Sequence, residues 1–405
     1  MATVESAPSG YRVIFANREF RAVFTAHTIS MAGDQLARVA LSVLVFERTA
    51  SAALTALAYA LTFLPDLIGG PLLSGIADRA PRRTVLVAAD VARAVLVATM
   101  AIPGAPLLVV CALLFVVQLL SSPANAARTA TVRVVLAPDA AAVTQGIGAM
   151  QAVGQAALVL GFGLSGALVA ATGVSVTLLV DAATFVVSGL LIGLLVRTRP
   201  APARSGGGIW WSHLPAVVRL VWTDRQLRAI LAMVAVTGAF IAGEAVAVPY
   251  AAELGGGAVA VSLIFVAYAT GCAIVSVLVA RLAIATQHRA LPLLVIGACA
   301  PLVCCALNPP LPVVLAIFVL SGASSAFHVI AQSSYVRRVP DEQAGQAIGL
   351  AVTVLKVAQG LGIVIAGLAA EVAPPHAVVA GAGVIGVIAA LGAAGMWRTA
   401  SRPAA

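Results

Sequence analysis

The sequence predicts an all-α integral membrane protein of twelve transmembrane helices in two six-helix halves. Composition, arginine placement and an internal repeat carry this reading. Of 405 residues, 61% are hydrophobic and 10% charged, with a mean hydropathy of +1.06. Soluble domains are about half apolar and roughly 25% charged. Apolar stretches long enough to cross a ~30 Å hydrocarbon core as helices recur from end to end.

Twelve spans follow, at about 21–46, 50–75, 84–102, 106–127, 144–170, 174–196, 227–250, 258–280, 291–307, 311–335, 346–370 and 376–397. Residues 1–17 are mostly polar, and the first apolar run outlasts a signal-peptide core, so span one is expected to be retained. The basic residues sort the connections. Arg12, Arg18 and Arg21 precede or open span one, Arg79, Arg82 and Arg83 follow span two, and Arg128 and Arg133 follow span four. Arg197, Arg199, Arg204, Arg219 and Arg225 fill the sixth connection, Arg281 and Arg289 the eighth, Arg337 and Arg338 the tenth, and Arg398 and Arg402 the tail. The odd-numbered connections hold only Arg48. Positive charge favours the cytoplasmic side, so both termini and the even-numbered connections are expected there. This placement, rather than nucleic-acid binding, accounts for the net charge of +9. The five cysteines lie in apolar runs without a CxxC pair or histidine cluster, and read as small core residues rather than metal ligands.

The chain repeats itself. Pro138-Asp139 precedes span five, and Pro340-Asp341 precedes span eleven, 202 positions on. The same offset carries Arg79 to Arg281, and "NREFR" (17–21) entering span one matches "DRQLR" (224–228) entering span seven. Two halves of like topology are expected, 1–196 and 227–405. Parallel repeats of this kind are a transporter architecture with the binding site near the bilayer midplane. Between them, 197–226 reads as a basic linker followed by an amphipathic helix on the cytoplasmic surface, with Trp210, Trp211 and Trp222 at the interface.

"GIADRAPRR" (75–83) falls between spans two and three. It resembles the signature of the major facilitator superfamily, with Gly75, Asp78, Arg79, Arg82 and Arg83 matching and Pro81 in place of the second glycine. The resemblance covers the whole chain and implies a secondary transporter. The stretches "GDQLARVALSVLVFERT" (33–49), "LPDLIGGPLLSGIADR" (64–79), "DVARA" (90–94), "SSPANAARTATVRVVLAP" (121–138) and "DAATFVVSGL" (181–190) are similar to the branch holding bacterial enterobactin exporters and drug-efflux permeases. Phe162 and Ser165 stand where drug/proton antiporters often carry proline and glycine, and Gln118 lies in the part of span four where many carry arginine. The resemblance also implies a conformational latch: Asp78 meeting the positive end of span eleven, where a helix N-terminus stabilises an anion by about 0.3–2 kcal/mol, and the arginines pairing between the halves.

Ionisable groups at bilayer depth cost at least about 2.5–3.5 kcal/mol and are functional candidates. Asp34, with Arg38 one turn on, lies mid-span one. Glu244 lies in span seven, and Asp66 follows Pro65 in span two. These four are the coupling candidates, with Asp34 expected to gain and lose the proton. Desolvation on closing a cavity raises a carboxylate's proton affinity, which is the physical basis of coupling. Asp90, Arg93 and Asp181 read as helix–helix pairing or interface groups. Lys356, the only lysine in the chain, is a substrate-cavity candidate with His328, Gln332, Gln151 and Gln155.

The expected function is proton-coupled export of a small amphipathic organic compound by alternating access, driven by the proton gradient with no cofactor. An importer of an anionic metabolite is the alternative, and a non-transporting scaffold or sensor a third reading. No GxxxxGK loop and no catalytic constellation are present in the sequence, so neither ATP hydrolysis nor another enzymatic activity is expected. The expected partners are a small molecule and the bilayer of a bacterial cytoplasmic membrane, the chain acting as a monomer.

Overall fold

The computed structural model describes residues 11–400 except 63, 66–67, 70–72, 74–79, 138–139, 201–213 and 341–342. Every regular element among the described residues is helical. Among the described residues, nine helical stretches are long and apolar enough to cross a membrane. One of them, Ala140–Leu195, holds spans five and six, divided at Gly173, whose φ of 82° and ψ of 170° leave the helical region. Span three, Arg82–Met100, carries four charged residues within its 19. Span two is described from Ala52–Ala60 onward in part. These complete the twelve spans.

The described chain falls into two compact units, Met1–Ala40 with Pro65–Ser205, and Leu41–Leu64 with Gly206–Ala405. The helix Arg18–Thr49 therefore runs from one unit into the other. The outer part of spans one and two packs inside the second unit. There Ser51 Oγ donates to Glu371 at 2.6 Å, and the Ala53 amide donates to the same oxygen at 2.8 Å. Those bonds hold the Glu371 carboxyl below the usual carboxylate range.

The entry motifs repeat in three dimensions. Asn17 Oδ1 accepts from the Glu19 and Phe20 amides at 2.9 and 3.1 Å. Asp224 Oδ1 accepts from the Gln226 and Leu227 amides at 2.7 and 3.1 Å. Each cap satisfies amides that the first turn leaves without helical partners. Beside the first cap, Phe20, Ile14, Val23, Leu86 and Ile192 belong to an apolar core of the first unit.

Span seven departs from one continuous helix. It is built of Arg225–Ala235, Thr237–Phe240, Ala242–Ala245 and Ala247–Glu253. Pro249 accounts for the last break: it has no N–H to donate, and its ring clashes with the carbonyl four residues back, that of Ala245. Gly238 lies two pieces earlier, in Thr237–Phe240, and a Cβ there would stand 2.6 Å from the Ala358 carbonyl oxygen. Spans seven and eleven thus approach backbone to backbone, as small residues allow in membranes. Spans eight and ten do the same: a Cβ on Gly271 would meet the Ala323 nitrogen at 2.8 Å. The linker helix is seen as Leu214–Thr223, with Trp222 exposed; Trp210 and Trp211 lie outside the described residues.

Five described residues have positive φ: Ala50 (49°), Gly104 (80°), Gly173 (82°), Gly255 (72°) and Asn308 (43°). They occupy connections one, three, five, seven and nine, all on the arginine-poor side.

Candidate functional site

Each unit holds buried charge, organised differently. In the first, span three supplies Arg93, whose side chain is 3% exposed. Its Nη2 donates to both carboxylate oxygens of Asp34, at 3.0 and 3.1 Å. Its Nη1 stands 3.9 Å from Asp90, one turn back. Its Cζ lies 4.0 Å over the Phe185 ring of span six, a cation–π contact. Ser188 donates to Asp90 at 2.6 Å. Thr184 donates to the Asp181 carbonyl at 2.7 Å. Asp90 and Arg93 therefore join spans one, three and six, as the pairing reading of these two residues anticipates; the Thr184–Asp181 bond stays within span six. A Cβ on Gly33 would run into Thr184 and Asp181, so the glycine beside Asp34 lets span one lie against span six.

A spacing of four suggested Arg38 as the group that holds Asp34 ionised; the guanidinium bonding it is Arg93, 59 positions away. Ser165, where the related antiporters carry a glycine, donates to the Leu36 carbonyl at 3.1 Å and ties span five to span one.

In the second unit, Tyr59 donates its hydroxyl to Glu244 at 2.5 Å. Tyr59 is 2% exposed, and Phe265 stacks on its ring at 5.9 Å. Tyr59 has no prominence in the sequence; its one signal is a phenol inside an apolar run. Broken span seven presents Glu244 on the short piece Ala242–Ala245.

A cavity of about 160 Å³ lies among spans seven, ten and eleven. Its walls include Ile230, Val234 and Val352, with His328, Gln332 and Tyr335 as the polar groups. The His328 ring bonds the Thr237 hydroxyl at 3.2 Å and stacks beside Phe327 at 4.1 Å. Two substrate candidates, His328 and Gln332, are thus brought together. Lys356 is half-buried, one position beyond Leu355 of the cavity wall. Gln151 and Gln155, one turn apart in the first unit, are exposed. Asp66, Gly75, Asp78 and Arg79 lie outside the described residues. Arg82 donates to the Ala130 carbonyl at 3.2 Å, and Arg83 donates to the Gly193 carbonyl and the Thr198 hydroxyl, all in the first unit. Among the described residues, no group of three His, Cys, Asp or Glu side chains is placed to hold a metal ion.

The Major Facilitator Superfamily profile matches residues 23–243 and again 228–405. The chain belongs to the major facilitator superfamily. The profile matches twice, the first match running on into span seven, and membership makes the chain a multi-pass membrane transporter rather than an enzyme. No curated protein matches in sequence. Solved structures of the superfamily fold are similar over nearly the whole chain. A POT family transporter in complex with 5-aminolevulinic acid has a TM-score of 0.74 at 12% identity, covering 97% of this chain and 98% of that one. An inward-facing bacterial homologue of the iron transporter ferroportin has a TM-score of 0.70 at 16% identity, covering 95% and 99%. A bacterial homologue of the lysosomal transporter Spinster, inward-facing and occupied, has a TM-score of 0.71 at 12% identity, covering 98% of each. At these identities the likeness is one of fold.

Proposed function

We propose that this superfamily member is a proton-coupled exporter of a small amphipathic organic compound, and that Glu244 carries the coupling proton. The observation that supports this is the Tyr59–Glu244 hydrogen bond. A phenol both donates and accepts. It serves the ionised carboxylate as donor and the protonated carboxyl as acceptor, so the bond survives either state. A guanidinium has only donors. The Arg93–Asp34 ion pair, bonded through both carboxylate oxygens, suits a structural role. The cavity lined by Val234, Val352, His328, Gln332 and Tyr335 suits an apolar body with a few polar groups. Export itself rests on the likeness of the sequence to the efflux branch.

In alternating access, the contacts of 41–64 with Glu244 and Glu371 would break and re-form as one side opens. The expected setting is a bacterial cytoplasmic membrane with both termini inside. An impermeant thiol reagent should then label cysteines at Pro103, Thr172 and Gly257 from outside, and leave one at Gln343 unlabelled; external labelling of Gln343→Cys inverts the orientation.

The deciding experiment uses the purified protein in proteoliposomes, with a compound panel and an imposed pH gradient. Wild type accumulates its substrate against a gradient. Glu244→Gln should lose that accumulation while keeping counterflow exchange, because the amide preserves the bond to Tyr59. Full gradient-driven accumulation by Glu244→Gln removes the coupling role. Accumulation of anionic metabolites in the importing direction, lost on Lys356→Ala, would favour the importer reading instead.

A further inference from the structure

A cluster away from the cavity and from Glu244 has no part in the proton coupling proposed above, although the family resemblance assigns two of its arginines, Arg82 and Arg83, to a latch. It lies where span three begins and span six ends. Arg82, Arg83, Arg197 and Arg199 line one small depression. Among the described residues, Glu19 is the one carboxylate bonded there. It takes Arg199 at 2.7 and 3.2 Å, and Arg197 stands at 3.6 Å with its side chain 86% exposed. Among the described residues, four guanidinium groups and one carboxylate give this corner three net positive charges.

Arg82 and Arg83 bond neutral groups: the Ala130 and Gly193 carbonyls and the Thr198 hydroxyl. These bonds fix the two side chains without cancelling their charge. A guanidinium carries five N–H donors in a planar fork that matches phosphate oxygens. Each of the two keeps donors for another anion.

Arg83 is shared with a second, larger depression of about 550 Å³. This one runs down the outer face of span three along Thr84, Val87, Ala88 and Val91, against Gly193 of span six. Val91 and Val95 are 54% and 60% exposed, and Leu190 and Leu194 on the facing helix 55% and 79%. Val87, Val91 and Val95 recur every fourth residue, so they form one stripe ~12 Å long. The feature is a cationic rim with an apolar channel leading from it toward the bilayer interior.

We infer that this is a binding site for an anionic diacyl phospholipid, its headgroup phosphate on Arg82 and Arg83 and one acyl chain along the Val87–Val91–Val95 groove. Basic pockets between transmembrane helices recognise lipid phosphates in this way. The surplus positive charge selects an anionic lipid over a zwitterionic one, whose own cation would meet Arg197. The apolar groove selects a lipid over a soluble anion. The inference does not depend on substrate or coupling.

The test is a titration of the full-length protein in detergent with phosphatidylglycerol, read as bound lipid by native mass spectrometry. Phosphatidylethanolamine and inorganic phosphate are run in parallel. Phosphatidylglycerol should bind the wild type best, and each arginine removed should weaken it about fivefold, so R82Q/R83Q loses roughly 25-fold. Ala88→Trp, which fills the groove and keeps every arginine, should also lose phosphatidylglycerol. Equal binding by wild type and R82Q/R83Q overturns the site. Displacement of the lipid by inorganic phosphate alone makes it a soluble-anion site and overturns the lipid assignment. If R82Q/R83Q does not fold, Ala88→Trp decides: undiminished phosphatidylglycerol binding by that variant refutes the groove.

Discussion

Spans one and seven open the two repeats, and both carry an acid in the bilayer. In span one, Asp34 meets a guanidinium that also faces Asp90 and Phe185. In span seven, Glu244 meets a phenol. The helix entries differ by the same logic: Asn17 is an amide, and Asp224 a carboxylate that Arg338 bonds at 2.7 Å. Duplicated helices have kept their caps and their fold, while the chemistry of equivalent regions has parted. An ion pair with good geometry makes a fixed joint. A carboxyl bonded to a group that can donate or accept makes a site whose charge can change at small structural cost.

The largest expected effect tests the fixed joint. Arg93→Ala strands Asp34 beside Asp90, and breaking a buried pair costs about 3–5 kcal/mol. Little folded protein should be recovered, by size-exclusion chromatography and melting in detergent, and Asp34→Asn with Arg93→Met should recover much of it. A normally stable Arg93→Ala protein would erase the distinction between the two repeats. The same distinction predicts that Asp34→Asn lowers melting temperature while any folded fraction still responds to a pH gradient, the reverse of Glu244→Gln.

A middle-sized effect probes backbone contact. Gly238→Ala puts a methyl 2.6 Å from the Ala358 carbonyl oxygen, and overpacking costs roughly 1–3 kcal/mol. Gly193→Ala in the first unit meets Val87 at an ordinary 3.7 Å and should melt as wild type does. Equal melting of the two variants would mean that spans seven and eleven have room to separate.

The smallest effect concerns the caps. Burial pushes the Asp224 carboxyl up, but hydrogen bonds from Arg338 and the Leu227 and Gln226 amides outweigh it and hold the group below its ordinary value. A lowered folded value stabilises the protein fully above the unfolded carboxylate range, about pH 4, and less as the pH falls through that range. Asp224→Asn should therefore cost about 1 kcal/mol or less near neutrality and flatten the acid limb of the melting-temperature profile. Asn17→Ser should leave that limb unchanged.

The fold was legible because hydropathy and arginine placement act over whole spans. Every expected span has a helical counterpart, although span four runs on to Val135 and span seven is broken. The pairing inside the bilayer was less legible. Periodicity relates Asp34 to Arg38 on its own helix. It cannot relate Asp34 to Arg93 on another, because that contact is set by how helices cross. Asp90 and Arg93 were visible as an acid and a base one turn apart. Tyr59 was not, because one hydroxyl hardly changes the hydropathy of a run. Gly238 looked like any small residue, and its value appears only when Ala358 stands against it.

The left-handed turns at Ala50, Gly104, Gly173, Gly255 and Asn308 bear on how the chain is made. Each reverses the backbone within a few residues, so two successive spans leave the translocation machinery as one antiparallel hairpin with little polar chain to carry across. In the proposed orientation, the long, arginine-bearing segments stay on the side of synthesis. Biogenesis is thereby reduced to the delivery of helix pairs. An insertion that lengthened one of these turns with charged residues would be felt first as a defect in assembly, before any change in transport.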